Sequence, residues 1–440
     1  MAGRIGISPS YLNLIERNQR PLSARVVMQL VSEFEFDPRS LREDESIGGL
    51  DGLARRFSDE RFADLAIDRE ELDEFLASSP QIAAAFARLY DRAGAAGLQA
   101  YDSLVASRRE VEKWRNHFAD LDQAAEELSD DMRLSRGDIA IALNDRLRER
   151  HQLSVRILPR DVMPDALRRL DLHARQVQLS EMLSPQSRIF HLALQLAQLE
   201  QRDMIVNIAG GARFEDEAGR LLFERHLASY FAAALIMPYA RFLRACEATG
   251  YDLPVLQRRF GVSFEQLAHR LTTLQRVGNR GLPFFMARID RAGQFSKRFA
   301  GASGASFIEA EHACPLWIAT RAFARPGDLL RQTVTLYDAG SGSTRWFTMA
   351  QTVEGSGAPG EARFAIVLGV DAALAGELAQ ARGMSLRPGD ATAIGGGCRS
   401  CHVADCQQRS LPPTGRKLEF DRMTRAVTPF DFSDGPGGTR

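Results

Sequence analysis

Apolar residues recur at helical spacing over much of the chain. In residues 57–153, Leu65, Ile67, Leu72, Phe75 and Leu76 form one stripe and Ile82, Phe86, Leu89 and Tyr90 a second. Ser79-Pro80 has the chemistry of a helix start, and the glycines of 94–97 mark a break. Residues 108–122 mix charges of both signs along a helix, which predicts a solvated face. Residues 153–158 and 176–179 alternate like strands and precede a long, largely apolar helical stretch within 187–238. More helical segments are expected after Gly250. Beyond them, 332–337, 345–353 and 363–370 read as strands separated by turns rich in Gly and Pro. The pattern predicts a mainly α chain with α+β parts and, from 440 residues, about three domains.

The first segment, residues 5–21, predicts a turn and a short helix. Ser8 is a good N-cap, Pro9 suits the first helical position, and Leu12 and Ile15 would pack on Val26, Val27 and Leu30. The pattern Gly6-Ile-Ser-Pro-Ser-Tyr-Leu-Asn-Leu-Ile-Glu-Arg-Asn-Gln-Arg-Pro21 resembles the recognition helix of XRE-type helix-turn-helix domains. That resemblance places Ser10, Tyr11 and Asn13 at base edges and Arg17, Asn18 and Arg20 near phosphates of an operator. The family sets two further helices before this point, so the module is expected to be N-terminally incomplete here.

The central stretch carries chemistry by what it lacks. Leu192-Ala-Leu-Gln-Leu-Ala-Gln198 resembles the zinc-protease helix L-A-H-E-L-G-H, with Leu194 and Gln198 at the ligand positions and Gln195 at the base position. By spacing alone it is also an ordinary amphipathic core helix. Downstream, residues 224–238 resemble the second helix of ImmA/IrrE-type metallopeptidases, and Leu227 falls where that family has its third ligand, a Glu. Leu cannot ligate zinc and Gln has no carboxylate to accept a proton from water. A peptidase framework reused as a binding pocket is expected, and a working zinc metallopeptidase is the weaker alternative.

Composition narrows the setting. A formal net charge of −1 gives no whole-chain electrostatic argument for nucleic acid. The longest uncharged apolar stretch, 226–240, is shorter than the ~20 residues of a membrane helix. No signal peptide is visible, and five cysteines, three of them clustered, do not suggest a secreted disulfide framework. A cytoplasmic protein with no membrane partner is expected. Cys398, Cys401 and Cys406 sit at C-x₂-C-x₄-C spacing after three glycines, where three thiols can converge on one ion or cluster. The spacing leaves zinc, a [4Fe–4S] cluster and free thiols open, with His402, Asp405, Cys314 or Cys246 as candidate fourth ligands.

The order of these pieces resembles one family. It comprises the XRE helix, the degenerate ImmA/IrrE-like core, Ala313-Cys-Pro-Leu-Trp317 and the terminal cysteines followed by Gln408-Arg-Ser-Leu-Pro-Pro413. Arg115-Asn-His117, with Leu121-Asp122 after it, adds to the likeness. The chain is similar to the short-chain fatty acyl transcriptional regulators of the RamB/PrpR type. The resemblance implies a truncated helix-turn-helix at 1–43 and a helical linker or dimerisation region at 53–152. It further implies a zincin-like pseudo-peptidase ligand-binding core at 153–300 and a small α+β domain with the cysteine cluster at 301–440. It implies a non-enzymatic, homodimeric or higher-order DNA-binding regulator that senses a short-chain acyl-CoA in acetate or propionate metabolism. A [4Fe–4S] cluster at the cysteines is implied as well. The alternative is a regulator that senses redox state through cluster or thiols. Arg188, Phe190, His191, Tyr230 and Phe231 are the expected pocket residues because they lie on the two peptidase-like helices.

Overall fold

The computed structural model describes residues 102–433 apart from 135–137, 311, 339–341, 355–361, 422, 426 and 429. It also describes 49–95 apart from 60, 61, 63, 64 and 66, and a few positions before residue 35. The expected DNA-contact residues Ser10, Tyr11, Asn13, Arg17, Asn18 and Arg20 lie outside the described residues. The chain divides into two compact units, Met1–Asp102 and Ser103–Arg440.

In the first unit, α1 (Gly49–Phe57), α2 (Arg69–Ser78) and α3 (Pro80–Ala95) are described. Asp68 caps α2 by accepting from the Glu71 amide at 2.8 Å. Phe57 stacks on Phe86 with ring centroids 4.4 Å apart, beside buried Leu53, Ala83 and Ala87. The predicted stripe of α3 therefore divides. Phe86 faces the core, whereas Ile82 and Leu89 are exposed.

The second unit begins with α4 (Ser103–Lys113), α5 (Ala119–Asp131) and α6 (Ile139–His151). The single solvated helix expected over 108–122 does not form. Arg115 and Asn116 take left-handed φ values of 51° and 52°, which ends α4 and folds the polar residues inward. Asn116 and Asp122 are fully buried. Mixed charges mark a solvated face only where the helix continues, and here a turn supplies partners for them instead.

Three short strands follow, β1 (Ser154–Leu158), β2 (Arg168–Asp171) and β3 (Gln176–Ser180). β3 lies between the other two, parallel to β1 and antiparallel to β2. Then come α7 (Pro185–Glu200), α8 (Arg202–Gly210) and α9 (Glu217–Ile236). Ser184 caps α7 and Pro185 opens its first turn. Residues 227–239 of α9 and its end are buried almost without interruption, and α4, α5, α7 and α8 all pack against this helix. A helical stretch this apolar on all sides belongs in the centre of a core.

After α10 (Tyr239–Thr249), α11 (Leu253–Phe260) and α12 (Phe264–Leu271), the chain builds a six-stranded sheet. Its strands are β4 (Phe285–Ile289), β5 (Phe295–Phe299), β6 (Leu330–Asp338), β7 (Gly342–Glu354), β8 (Ala362–Asp371) and β9 (Thr392–Ile394). Their order is β5-β4-β8-β7-β6-β9, antiparallel except for the β6–β9 pair. β6, β7 and β8 fall where alternation predicts strands. The alternation predicts no strand at β4 or β5. The run Phe284-Phe-Met-Ala287 is apolar on both sides because the sheet is buried on both faces. Met286, Phe347, Ile366 and Leu368 enter the main core, while Phe285, Trp346, Ala365 and Val367 pack with Trp317 of a second core. A continuous short apolar run does not distinguish such a strand from a helix. α13 (Ile318–Ala322) covers the second core.

Candidate ligand groove and buried polar hub

An open groove of about 1250 Å³ runs along α7, α8, α9 and the start of β2. Its floor includes Arg168 of β2 and His191, Leu194 and Gln198 of α7. Ile205 and Val206 of α8, and Ala218, Leu221, Leu222 and Ala228 of α9, give it apolar walls. Arg168, Arg202, Arg220 and Arg225 face Asp165 and Glu224, so the lining carries excess positive charge.

The groove crosses the place where a metallopeptidase would hold zinc. Leu194 and Gln198 line it, while Leu227 and Gln195 are buried. Two leucines and two neutral amides offer no imidazole, thiolate or carboxylate, so this donor set does not fit zinc. A guanidinium lies there instead. Arg168 donates through Nη2 to Gln198 Oε1 at 2.8 Å and through Nη1 to the His191 carbonyl at 3.1 Å. Burial lowers its pKa to about 10, so it stays charged at neutral pH. Burial first, and the Arg168 charge second, push His191 down to about 4 and keep it neutral. His191 Nδ1 has no hydrogen-bond partner. Higher on α9, Arg220 pairs with Glu224 and, at 3.5 Å, Glu217, while Arg202 and Arg225 are exposed.

The sequence-derived pocket set separates. His191 lines the groove. Phe190 is half-buried against the main core, and Arg188 donates to the Glu181 carbonyl at 2.9 Å; neither lines the groove. Tyr230 and Phe231 are fully buried and are core residues, because the C-terminal half of α9 is enclosed by helices. The arginines of the groove were missed. A usable signal exists for α9, where Ala218, Leu221, Leu222, Arg225 and Ala228 recur at the spacing of one helical face. None marks Arg168, whose role depends on how β2 meets α7.

Tyr230 belongs to a buried polar hub. Its hydroxyl donates to Asp122 Oδ2 at 2.6 Å, and Arg270 Nη2 donates to Asp122 Oδ1 at 2.6 Å. Arg270 also donates to the Met237 carbonyl and Thr273 Oγ1. Burial alone would raise Asp122, but the Arg270 charge and hydrogen bonds from His117, Tyr230 and Arg270 hold the carboxyl below its usual range. Beside it, His226 Nε2 meets Asn116 Oδ1 at 2.9 Å, and Asn116 Nδ2 donates to Thr272 Oγ1 at 2.9 Å. Burial pushes His226 down to about 3 and His269 far below the usual value.

The cysteine loop is organised by Arg409. Its buried guanidinium donates to the carbonyls of Cys398, Cys401 and Val403 at 2.9, 3.1 and 2.8 Å and lies over the Phe432 ring. Gly395 presses on Cys401; a Cβ there would sit 2.4 Å from its Sγ. Burial raises the Cys314 thiol, and the Cys401 and Cys406 thiols push it the same way. Cys246 is buried in the main core, apart from this second-core loop. Among the described residues, no group of three or more His, Cys, Asp and Glu side chains is placed to hold a metal ion. Among them, too, no helix is long and apolar enough to cross a membrane.

Residues 148–272 match the IrrE N-terminal-like domain, and 273–430 match the short-chain fatty acyl coenzyme A regulator C-terminal domain. The transcriptional regulator RamB of Mycobacterium tuberculosis is 36% identical over 98% of this chain and 94% of its own length. The chain belongs to the short-chain fatty acyl coenzyme A regulator family. Among this regulator's other relatives, PrpR of M. tuberculosis is 32% identical over 99% of the chain and 92% of PrpR. A propionyl-CoA carboxylase regulator of Cereibacter sphaeroides is 33% identical over 98% of the chain and 95% of that protein. A solved M. tuberculosis transcriptional regulator is 34% identical and superposes with a TM-score of 0.69, covering 75% of this chain and 99% of that one. The regulator thus joins a metallopeptidase-like helical core, without that core's ligand set, to the family's C-terminal sheet.

Proposed function

We propose that this chain is a DNA-binding transcriptional regulator whose effector, a short-chain acyl-CoA, binds in the groove between β2, α7, α8 and α9. One observation carries the reading. The groove is open at Leu194 and Gln198, two of the three ligand positions, and has apolar walls with arginines along it. A short acyl chain suits the apolar part and the CoA phosphates suit Arg202, Arg220 and Arg225. The protein acts by binding and performs no hydrolysis, because Leu194, Gln198, Leu227 and Gln195 supply neither metal ligands nor a base.

Control of transcription follows from linkage. Acyl-CoA changes operator affinity to the degree that it binds the DNA-competent and incompetent conformations differently. The operator contacts are assigned to Ser10, Tyr11, Asn13, Arg17, Asn18 and Arg20, and a twofold operator calls for a homodimer working in the cytoplasm. Calorimetry tests the effector directly, comparing propionyl-CoA with CoA and with propionate. Micromolar binding of the acyl-CoA is expected, with weaker binding of CoA and none of propionate. A folded protein that binds none of them overturns the reading.

A second, compatible reading rests on the loop that carries Cys401 and Cys406, where Arg409 holds the Cys401 carbonyl and Gly395 packs on Cys401. These thiols, with Cys398, would sense redox state as free thiols or as ligands of an iron–sulfur cluster or zinc. Iron, zinc and thiol content after anaerobic preparation separate the three.

A further inference from the structure

The groove's four arginines are not equivalent. Arg202 and Arg225 are exposed at its mouth, and Arg220 is held by Glu224 and Glu217. Arg168 is the inner one. It spans from β2 to α7, reaching Gln198 and the carbonyl of His191, next to Leu194. Phosphates keep most of their hydration at a groove mouth, whereas a thioester carbonyl and a short alkyl chain enter the interior. A buried acceptor there needs a donor. Arg168 has five N–H donors and the two hydrogen bonds described use only part of that set. The unpartnered Nδ1 of His191 is a second polar atom in the same place without a protein partner.

We propose that Arg168 is the residue that recognises the acyl carbonyl, holding the thioester oxygen where a metallopeptidase would present zinc to a peptide carbonyl. His191 stands beside it. The proposal rests on the groove being the acyl-CoA site. It assigns to Arg168 the discrimination between an acyl-CoA and a CoA derivative of equal size that lacks the carbonyl. The thioester bond is neither made nor broken. A guanidinium is a hydrogen-bond donor with fixed charge, and Gln195, at the base position, has no carboxylate to activate water.

The test compares propionyl-CoA with S-propyl-CoA, its thioether, by calorimetry on the full chain. Wild type should bind the thioester about 10- to 100-fold more tightly, as expected for one charge-assisted hydrogen bond. Arg168→Leu should bind the two equally while retaining the thioether affinity of wild type. If Arg168→Leu melts too low to measure, Arg168→Lys carries the test. It retains the charge without the planar fork, so the preference should shrink while thioether binding holds. A wild type without preference, or variants that keep it, overturns the assignment and leaves the groove as the effector site. Variants that lose both ligands in proportion make Arg168 a phosphate contact and also overturn it. A wild type that binds neither ligand removes the acyl-CoA reading together with the assignment.

Discussion

Helix α9 carries two polar clusters that differ in how their charges are satisfied. Around Tyr230, the Arg270–Asp122 pair is fully buried, and both charges meet protein partners at hydrogen-bonding distance. Around Arg220 and Arg225, charges border an open groove, Arg220 paired with Glu224 and Arg225 exposed. Removing a charge from water costs several kcal/mol, so a buried one persists only when paired. The open cluster has not incurred that cost. Exposed Arg225 can exchange water for ligand oxygens, so under the proposed function binding costs only what the ligand displaces. The same helix thus bears a closed polar hub and one wall of an open groove, distinguished by where the donors end.

The sharpest way to break the contrast is at the hub. Arg270→Met leaves the Asp122 carboxylate buried without its cation and should cost about 3–5 kcal/mol of stability. Urea unfolding measures this loss, and the folded fraction should retain its propionyl-CoA affinity. Lost binding with unchanged stability would reverse the roles assigned to the two clusters.

Acid pH gives the next largest effect. His226 at about 3, His191 at about 4 and the depressed His269 stay neutral in the folded protein down to those values. The unfolded chain protonates them near pH 6.5. Between pH 6.5 and about 4 the unfolded state therefore binds more protons, and stability falls as pH falls, by up to about 1.4 kcal/mol per histidine per pH unit. The melting temperature should drop steadily from pH 7 to pH 5, and His226→Asn should flatten the slope. The Asp122 contribution has a lower window. Its folded value is depressed, so its stabilisation is present above the usual carboxylate range and is lost as pH falls through the folded value. A flat profile from pH 7 to 5 would contradict burial of the three imidazoles.

The smallest effect belongs to the groove mouth. Arg225→Gln should weaken CoA and propionyl-CoA alike by about three- to tenfold, less so at high salt, with little change in melting temperature. Unequal loss between the two ligands would move carbonyl recognition from Arg168 to the mouth.

How much of this was legible in the sequence varied with distance along the chain. The replaced ligand residues are readable because Leu194, Gln198 and Leu227 fall at fixed positions within two helices. Strands β6, β7 and β8 announced themselves through alternation, and β4 did not, since both its faces are buried. His191 borders the groove because it lies on the same helix as Leu194 and Gln198. Tyr230 and Phe231 were misplaced because a helix sequence does not say which of its faces the neighbouring helices enclose. Residues 108–122 read as a solvated helix because their partners lie far away; Asn116 bonds Thr272 and Asp122 bonds Arg270, 156 and 148 residues on.

The sequence by itself determined the helical framework, the missing ligand set, the likeness to a family of acyl-CoA regulators and the residue types available for recognition. These depend on period, cap and spacing, which are local. Only the tertiary structure decided that Arg168 of a three-stranded sheet meets Gln198 of α7, 30 residues away, at the former metal position. It also decided that α9 encloses one polar cluster and leaves the other open. Both are consequences of packing, in which the whole core, rather than any segment, sets which side chains lose their water.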